Sequence, residues 1–255
     1  MELSQVLGTR SLGGNLFITR FRSPNIAFAV LPGQFVMVSF EGVLDPLLPR
    51  AFSVCDVSGE DVFLFYAAIG KGTRMMSELR AGDMVTMNGP LGRGFPDVSA
   101  GKMVWIVVGG SGMAVVPLLA RRLNRRDAKF EIFSGARTES HLVHFDGIST
   151  RDATDDGSKG YHGTVVDLIK ESFQKDKPDK LFACGPTRML EAVQSEFGGT
   201  VPTYLSVEAP MACGMGFCQG CPIRIAGGEG YYLACKDGPV FRSDEIDFGM
   251  GGDSE

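Results

Sequence analysis

Lys102-Met-Val-Trp-Ile-Val-Val-Gly-Gly-Ser-Gly-Met-Ala-Val-Val-Pro-Leu-Leu-Ala120 decides the fold. Every position from Met103 to Val108 is apolar, as in a strand buried on both faces of a parallel sheet rather than one that alternates against solvent. Gly109, Gly110 and Gly112 then break the run, and the apolar residues resume as a helix. Strand, glycine turn and helix make the first βα unit of a parallel sheet. Glycines at such a turn let the phosphates of a dinucleotide approach the backbone at a helix N-terminus. The spacing is not G-x-G-x-x-G, and similar turns occur in α/β proteins that bind no nucleotide, so both readings stand at this point.

Downstream, Lys129-Phe-Glu-Ile-Phe-Ser-Gly-Ala-Arg137 reads as a second strand with small residues at its carboxyl end, where ligands collect in open parallel sheets. The chain turns hydrophilic over 150–160, then helical from Thr164. Lys180-Leu-Phe-Ala-Cys-Gly-Pro186 is a third core strand that delivers Cys184, Gly185 and Pro186 to the same edge. Thr187 to Phe197 carries Met189, Leu190 and Val193 at helical spacing, the pattern of core packing. Tyr204 to Glu208 is the last strand of this region.

Upstream, Asn15–Phe21, Gln34–Phe40, Asp61–Ala67 and Asp83–Asn88 are short β runs broken by Gly and Pro, which predicts an antiparallel barrel or sandwich. Within it, Arg50-Ala51-Phe52-Ser53 places an arginine and a serine on a strand, with Arg50 and Phe52 sharing a face by alternation. An arginine there suits a phosphate and the serine suits a flavin ring nitrogen; a surface strand with one charge is the plainer alternative. Ala67-Ala68-Ile69-Gly70-Lys71-Gly72-Thr73 is a glycine turn into a short helix whose start Thr73 signals, a place for a pyrophosphate or simply a turn.

Near the C-terminus, Cys213, Cys218, Cys221 and Cys235 follow C-x4-C-x2-C with a distant fourth cysteine, the spacing that wraps a plant-type [2Fe-2S] cluster. Gly214, Gly216 and Gly220 lie between them, where the backbone must fold tightly and leave N–H groups free for sulfur. Structural zinc usually uses two short C-x2-C knuckles, and only one pair here has that spacing. A disulfide framework suits small secreted chains, and this chain has 255 residues. Cys55 and Cys184 read as buried apolar thiols.

A formal charge of −5, with no basic run beyond Arg121-Arg122 and Arg125-Arg126, argues against nucleic acid. Those four arginines read as one solvated helix face. No apolar run approaches the length needed to cross a bilayer, and the N-terminus lacks a signal-type core, so no membrane partner and a cytoplasmic location are expected. His141, His144 and His162 have no second pair of nearby ligands and read as ordinary polar residues. Residues from Gly249 are glycine-rich and acidic and are expected to be disordered.

Arg50-Ala-Phe-Ser53, Gly70-Lys-Gly-Thr73 and Gly89-Pro-Leu-Gly92, followed in order by Gly109-Gly-Ser-Gly112, Ser134-Gly-Ala-Arg137 and Cys184-Gly-Pro186, resemble the motifs of the ferredoxin-NADP reductase superfamily. That resemblance implies FAD at Arg50–Ser53, Ala67–Ile69, Gly72 and Thr73. It also implies a nicotinamide nucleotide at Gly109, Gly110, Gly112 and Cys184–Pro186. Glu208-Ala-Pro-Met-Ala-Cys-Gly-Met-Gly-Phe-Cys-Gln-Gly-Cys-Pro222 and Cys235-Lys-Asp-Gly-Pro-Val-Phe241 are similar to the electron-transfer subunits of two-subunit, NAD-linked dihydroorotate dehydrogenases. The resemblance spans nearly the full length; the Ala51-Phe52 pair is a mild departure that keeps both ends of its motif.

The expected architecture is therefore multi-domain β plus α/β: an antiparallel β-barrel FAD domain (1–98), a parallel-sheet NAD-binding domain (99–207) and a small [2Fe-2S] module (208–255). No catalytic residue is assigned, because the resemblance puts dihydroorotate at FMN in a partner catalytic subunit, within a heterotetramer of two subunits of each kind. Electrons would pass from there through the cluster and FAD to NAD+, in pyrimidine biosynthesis. A subunit serving ferredoxin, or a sulfide or polysulfide reductase, shares most of these motifs. A non-redox module with structural zinc is the alternative of another class. Arg137 suits a 2′-phosphate and Glu139 opposes one, so NAD is favoured over NADP by family alone. Met211, Met215 and Phe217 are expected either to dock the partner or to pack locally around the cluster.

Overall fold

The computed structural model describes residues 1–248, so the glycine-rich tail from Gly249 lies outside the described residues. The N-terminal part is a closed antiparallel barrel of β1 (Glu2–Gly13), β2 (Leu16–Arg22), β3 (Phe35–Phe40), β4 (Arg50–Ser58), β5 (Asp61–Ala67) and β6 (Met84–Leu91) in the order β1-β2-β5-β4-β3-β6. Two short helices, α1 (Pro24–Ala29) and α2 (Lys71–Glu78), cover its ends. Closure leaves no open edge. Val6, Phe21, Val36, Val38, Phe52, Val54 and Leu64 point inward and fill it.

The second part is a sheet containing β7 (Met103–Gly109), β8 (Lys129–Ala136), β9 (Arg151–Thr154), β10 (Tyr161–His162), β11 (Lys180–Cys184) and β12 (Thr203–Ser206), all parallel. The helices are α3 (Val116–Arg125), α4 (Val165–Phe173) and α5 (Thr187–Phe197). The continuous apolar run of β7 is explained by its two covered faces. Val104, Ile106 and Val108 enter a core beneath α3 that also takes Cys55 and Phe65 from the barrel. Trp105 and Val107 enter the core beneath α4 and α5, where the indole lies 4.9 Å from the Phe133 ring. The first core is shared between barrel and sheet, so the two pack as neighbours.

Two features of this sheet were not expected. The hydrophilic stretch 150–160 holds β9, and β10 follows it as the outermost strand. The last part of the chain gives β13 (Pro222–Ile225) and β14 (Tyr231–Leu233), which pair as an antiparallel hairpin. It also gives β15 (Val240–Arg242) and β16 (Ile246–Asp247). β13, β14 and β16 form a small sheet, whereas β15 pairs antiparallel with β12 and becomes the seventh strand of the large sheet. Among the described residues no helix is long and apolar enough to cross a membrane.

Of the four arginines in α3 and at its C-cap, Arg125 is exposed as expected, whereas the other three reach carboxylates. Arg121 pairs with Asp56 of β4 at 2.6 Å, and Arg122 and Arg126 both grip Asp97, at 2.6 and 2.9 Å. They fasten the helix to the barrel and to the segment leaving it.

Candidate functional site

A groove of about 290 Å³ runs between barrel and sheet. β4 contributes Ala51, Phe52 and Ser53; the end of β5 and the turn into α2 contribute Tyr66, Ala67, Ile69 and Thr73. Facing them are Ser111, Ala114, Cys184, Ser206 and Glu208 from the carboxyl edge of the sheet. The sheet edge and the barrel wall thus bring together residues more than 130 positions apart in the chain.

Each expected residue has a definite place. Phe52 is buried inside the barrel, its ring 5.3 Å from that of Tyr66. Arg50 Nη1 donates to the carbonyls of Leu48 and Pro49, and the side chain lies beside Gly72 at the start of α2. A Cβ at Gly72 would lie 2.9 Å from Arg50 Cγ and Nε, so a glycine is needed there for the arginine to lie across the start of α2. The helix begins at Lys71, two residues before Thr73. Thr73 acts from inside its first turn, accepting from the N–H groups of Ile69 at 3.0 Å and Gly70 at 2.9 Å. Ala68 is tied by its N–H to the Asn15 carbonyl at 2.7 Å.

The glycines after β7 divide by role. Gly110 has a left-handed φ of +52° with open space where a Cβ would be. At Gly112 a Cβ would lie 2.0 Å from the Cys184 carbonyl oxygen, and at Gly109 one would meet Met189 and Pro186. Gly109 and Gly112 are therefore required by close packing of the turn on the Cys184–Pro186 edge, and only Gly110 offers a free approach. The turn is a 3-10 helix over Gly110–Val115, with α3 starting after it.

Burial pushes the Cys184 thiol up to about 12 and raises that of Cys55 further, so both remain neutral thiols that supply shape. Tyr66 and Glu208 were not singled out from the sequence. The Tyr66 hydroxyl pairs with Thr19 Oγ1 at 2.9 Å, and burial holds its pKa at about 12. Glu208 faces solvent through the open groove, yet the surrounding protein desolvates its carboxyl and raises its pKa. A charged residue closing an apolar strand at a sheet's carboxyl edge was the available signal.

The four cysteines of the C-terminal segment fall into two pairs. Cys221 and Cys235 are buried with their sulfurs 3.3 Å apart. Cys213 Sγ accepts the N–H groups of Met215 and Cys218, each at 3.4 Å. Gly216 donates to Cys235 Sγ at 3.1 Å, and Gly220 to Cys218 Sγ at 3.4 Å. The backbone donors hold the Cys213 thiol near 6, whereas burial pushes Cys235 up to about 12. Two thiols for each of two irons, with N–H groups aimed at sulfur, fit a binuclear cluster. Among the described residues, no group of three or more His, Cys, Asp or Glu converges to hold a single ion.

Gly214 and Gly216 take left-handed φ values of +71° and +84°, but Gly220 does not; the third such position is Gln219 at +54°. Gly214 also lets the loop lie on the barrel, since its Cβ would fall 2.4 Å from Met37 Cγ. Of the three apolar residues beside the cysteines, Met211 is packed against Cys221 and Cys235, while Met215 and Phe217 are 45% and 81% exposed. Phe35 and Met211 belong both to the groove wall and to the core around Cys221 and Cys235, so the two candidate cofactor positions share a partition.

His144 pairs with Asp152 at 3.0 Å and His141 with Thr138 at 2.8 Å. Glu139, which faced Arg137 in the choice between NAD and NADP, pairs with Lys159 at 3.3 Å.

Residues 208–247 match the iron-sulfur cluster binding domain of dihydroorotate dehydrogenase B, which sets the zinc alternative aside. The chain is 38% identical over 224 residues to the dihydroorotate dehydrogenase B (NAD(+)) electron transfer subunit of Bacillus caldolyticus, covering 84% of this chain and 86% of the relative. It is 34% identical to that of Desulforamulus reducens, covering 95% and 97%. Its fold superposes with a TM-score of 0.85 and 27% identity on a solved NADH-dependent reduced ferredoxin-NADP oxidoreductase, covering 97% of this chain and 91% of that one. A ferredoxin reductase of carbazole 1,9a-dioxygenase shares the fold, with a TM-score of 0.67 and 20% identity. The chain belongs to the family of electron transfer subunits of dihydroorotate dehydrogenase B.

Proposed function

We propose that this chain carries electrons from an FMN-containing dihydroorotate dehydrogenase catalytic subunit to NAD+, in a heterotetramer of two subunits of each kind acting in pyrimidine biosynthesis in the cytoplasm. The observation that carries the reading is the partition formed by Phe35 and Met211, which places the cysteine core directly against the groove. When bound, the [2Fe-2S] cluster supplies single-electron transfer, and FAD supplies the exchange between single electrons and hydride.

The chain's own residues have the following parts. Arg50 and the N–H groups at the start of α2 hold the FAD phosphates, with Gly72 giving the arginine its room. Ser53, Ala67, Ala68 and Ile69 border the flavin ring, and Ala51, Phe52 and Thr73 shape and brace that wall. Gly109, Gly110 and Gly112 form the turn against which NAD+ lies, with the approach at Gly110. Cys184, Gly185 and Pro186 close the nicotinamide end. Cys213, Cys218, Cys221 and Cys235 hold the cluster, which has an exposed side at Cys218 and Phe217. The dihydroorotate site belongs to the partner. This division corresponds to an FAD barrel over 1–98, an NAD domain over 99–207 and a cluster segment from 208, whose β15 completes the NAD-domain sheet.

The fold shared with the ferredoxin-NADP oxidoreductase supports a second reading, in which ferredoxin rather than dihydroorotate stands at the far end. Purification from native cells separates the two. The account expects an FMN protein to copurify and the complex to reduce NAD+ with dihydroorotate; copurification without that activity, together with rapid ferredoxin reduction by NADH, favours the second reading.

A further inference from the structure

A cavity larger than the redox groove lies elsewhere among the described residues. It has a volume of about 830 Å³ and lies in the cleft between barrel and sheet, between β1, β2, β4 and β5 on one side and α3, β8 and the 144–148 loop on the other. That size is in the range of small-molecule sites. β4 separates it from the groove: Ala51, Phe52 and Ser53 line the groove, while Cys55 and Asp56 line this cavity. The same division holds along the segment after β7. Ser111 and Ala114 face the groove, and Pro117, Ala120 and Arg121 face the cavity.

Its lining is of two kinds. Phe63, Phe130, Phe145 and Ile148 give it an apolar wall, all half-buried and each therefore still presenting surface to the space. Arg10, Arg121 and Arg125 supply three guanidinium groups, and Asp56 and Asp146 two carboxylates, with His144 also at the rim. Asp56 is engaged by Arg121 and His144 by Asp152. Among the described residues, neither the Arg10 nor the Arg125 guanidinium makes a hydrogen bond or a close ion pair, although Arg125 stands near enough to Asp56 to help Arg121 favour its charged form. A positive excess thus stands beside an aromatic wall in a concave space, with Arg10 supplied by the barrel and Arg125 by the sheet domain. Guanidinium forks suit phosphate, sulfonate and carboxylate oxygens, and the wall suits a flat ring.

We propose that this cleft is a binding site for a small anionic molecule that carries an aromatic ring, held by Arg10 and Arg125 across the boundary between barrel and sheet. It is separate from the FAD and NAD+ positions. Occupancy ties the two halves of the chain together at the back of β4.

The test uses the FAD- and cluster-loaded chain in complex with its catalytic subunit and saturated with NAD+. Isothermal titration calorimetry is performed with 8-anilinonaphthalene-1-sulfonate and with its uncharged relative N-phenyl-1-naphthylamine. The expected result is one saturable sulfonate site per chain, weakened roughly tenfold or more by Arg10→Gln with Arg125→Gln. The uncharged probe should bind wild type and double variant alike. Asn124→Trp, which puts an indole into the lining without removing a charge, should weaken both probes, and retained FAD absorbance verifies that each variant is folded. Equal sulfonate affinity in wild type and double variant overturns the proposal. So does competition by NAD+ for the probe, or the lack of a saturable site in the complex, which would mean that a macromolecular partner covers the cleft.

Discussion

Gly112 shows why a glycine count does not assign a glycine's work. From the sequence, Gly109, Gly110 and Gly112 were equivalent members of a phosphate turn. In the folded chain, Gly112 is fixed by a carbonyl oxygen 2.0 Å from its missing Cβ, and Gly110 alone faces open space. The two roles leave the same letter in the sequence, because close packing and ligand approach both exclude a side chain. Gly112→Ala is therefore expected to destabilise the chain by about 3 kcal/mol, read by urea denaturation of the FAD-bound protein, since the edge at Cys184 cannot retreat without moving β11. An Ala variant as stable as wild type would show that the turn has slack. The cysteines were the opposite case. Their spacing alone indicated the cluster, because four thiolates around two irons leave few backbone routes between ligands. What spacing could not indicate was the pairing of Cys221 with Cys235 in a buried core, which depends on Phe35 and Met37 of a distant strand. Tyr66 escaped notice because its partners Thr19 and Phe52 lie on other strands of the barrel, and Glu208 because it meets the groove only when the sheet packs against the barrel.

Among the elements, those buried on two faces were legible and those at edges were not. β7 and β11 read directly as strands because alternate residues serve two different cores, leaving no polar position. β9 and β10 lie at the outer edge of the sheet amid Asp, Thr, Ser and Lys, where backbone pairing suffices and the side chains carry no strand signal. β15 falls at the end of the Cys235–Phe241 stretch, which carried no strand reading in the sequence. Its Phe241 is buried beneath α5 and packs 5.5 Å from the Tyr232 ring, so this strand anchors the cluster segment to the large sheet. Phe241→Ala should cost about 3–5 kcal/mol in equilibrium unfolding and weaken cluster retention along with it. α3 depends on charge as well as on its apolar face. Arg122, by hydrogen bonding, and Arg126 together hold the Asp97 carboxyl below the usual range. A carboxylate whose pKa is lowered on folding stabilises above its unfolded pKa and loses that contribution as pH falls through the lowered value. Asp97→Asn should accordingly lower the thermal midpoint by a degree or two at pH 7, a modest effect for a solvent-exposed pair. The difference from wild type should vanish in acid. A gap that persisted in acid would mean that packing, not charge, holds the segment.

At the scale of the whole molecule, the chain brings three segments to one place. The barrel provides one wall of the groove, the sheet provides the other, and the C-terminal segment packs its cysteines behind Phe35 and Met211 before returning to the sheet as β15. The order of barrel, sheet and cysteine loop was legible in the sequence. The way the third segment closes over the first two was not, because it depends on contacts between residues up to 200 positions apart. On the proposed function, the cysteine core is the way in for electrons and the groove the place where they reach NAD+. The most direct test is Cys221→Ser in the reconstituted complex, assayed in both halves of the reaction. The account predicts that the variant keeps its FAD and that NADH still reduces the flavin, while dihydroorotate-dependent NAD+ reduction is lost together with the cluster spectrum. Dihydroorotate-dependent NAD+ reduction at the wild-type rate, in a complex shown to lack the cluster, would contradict it.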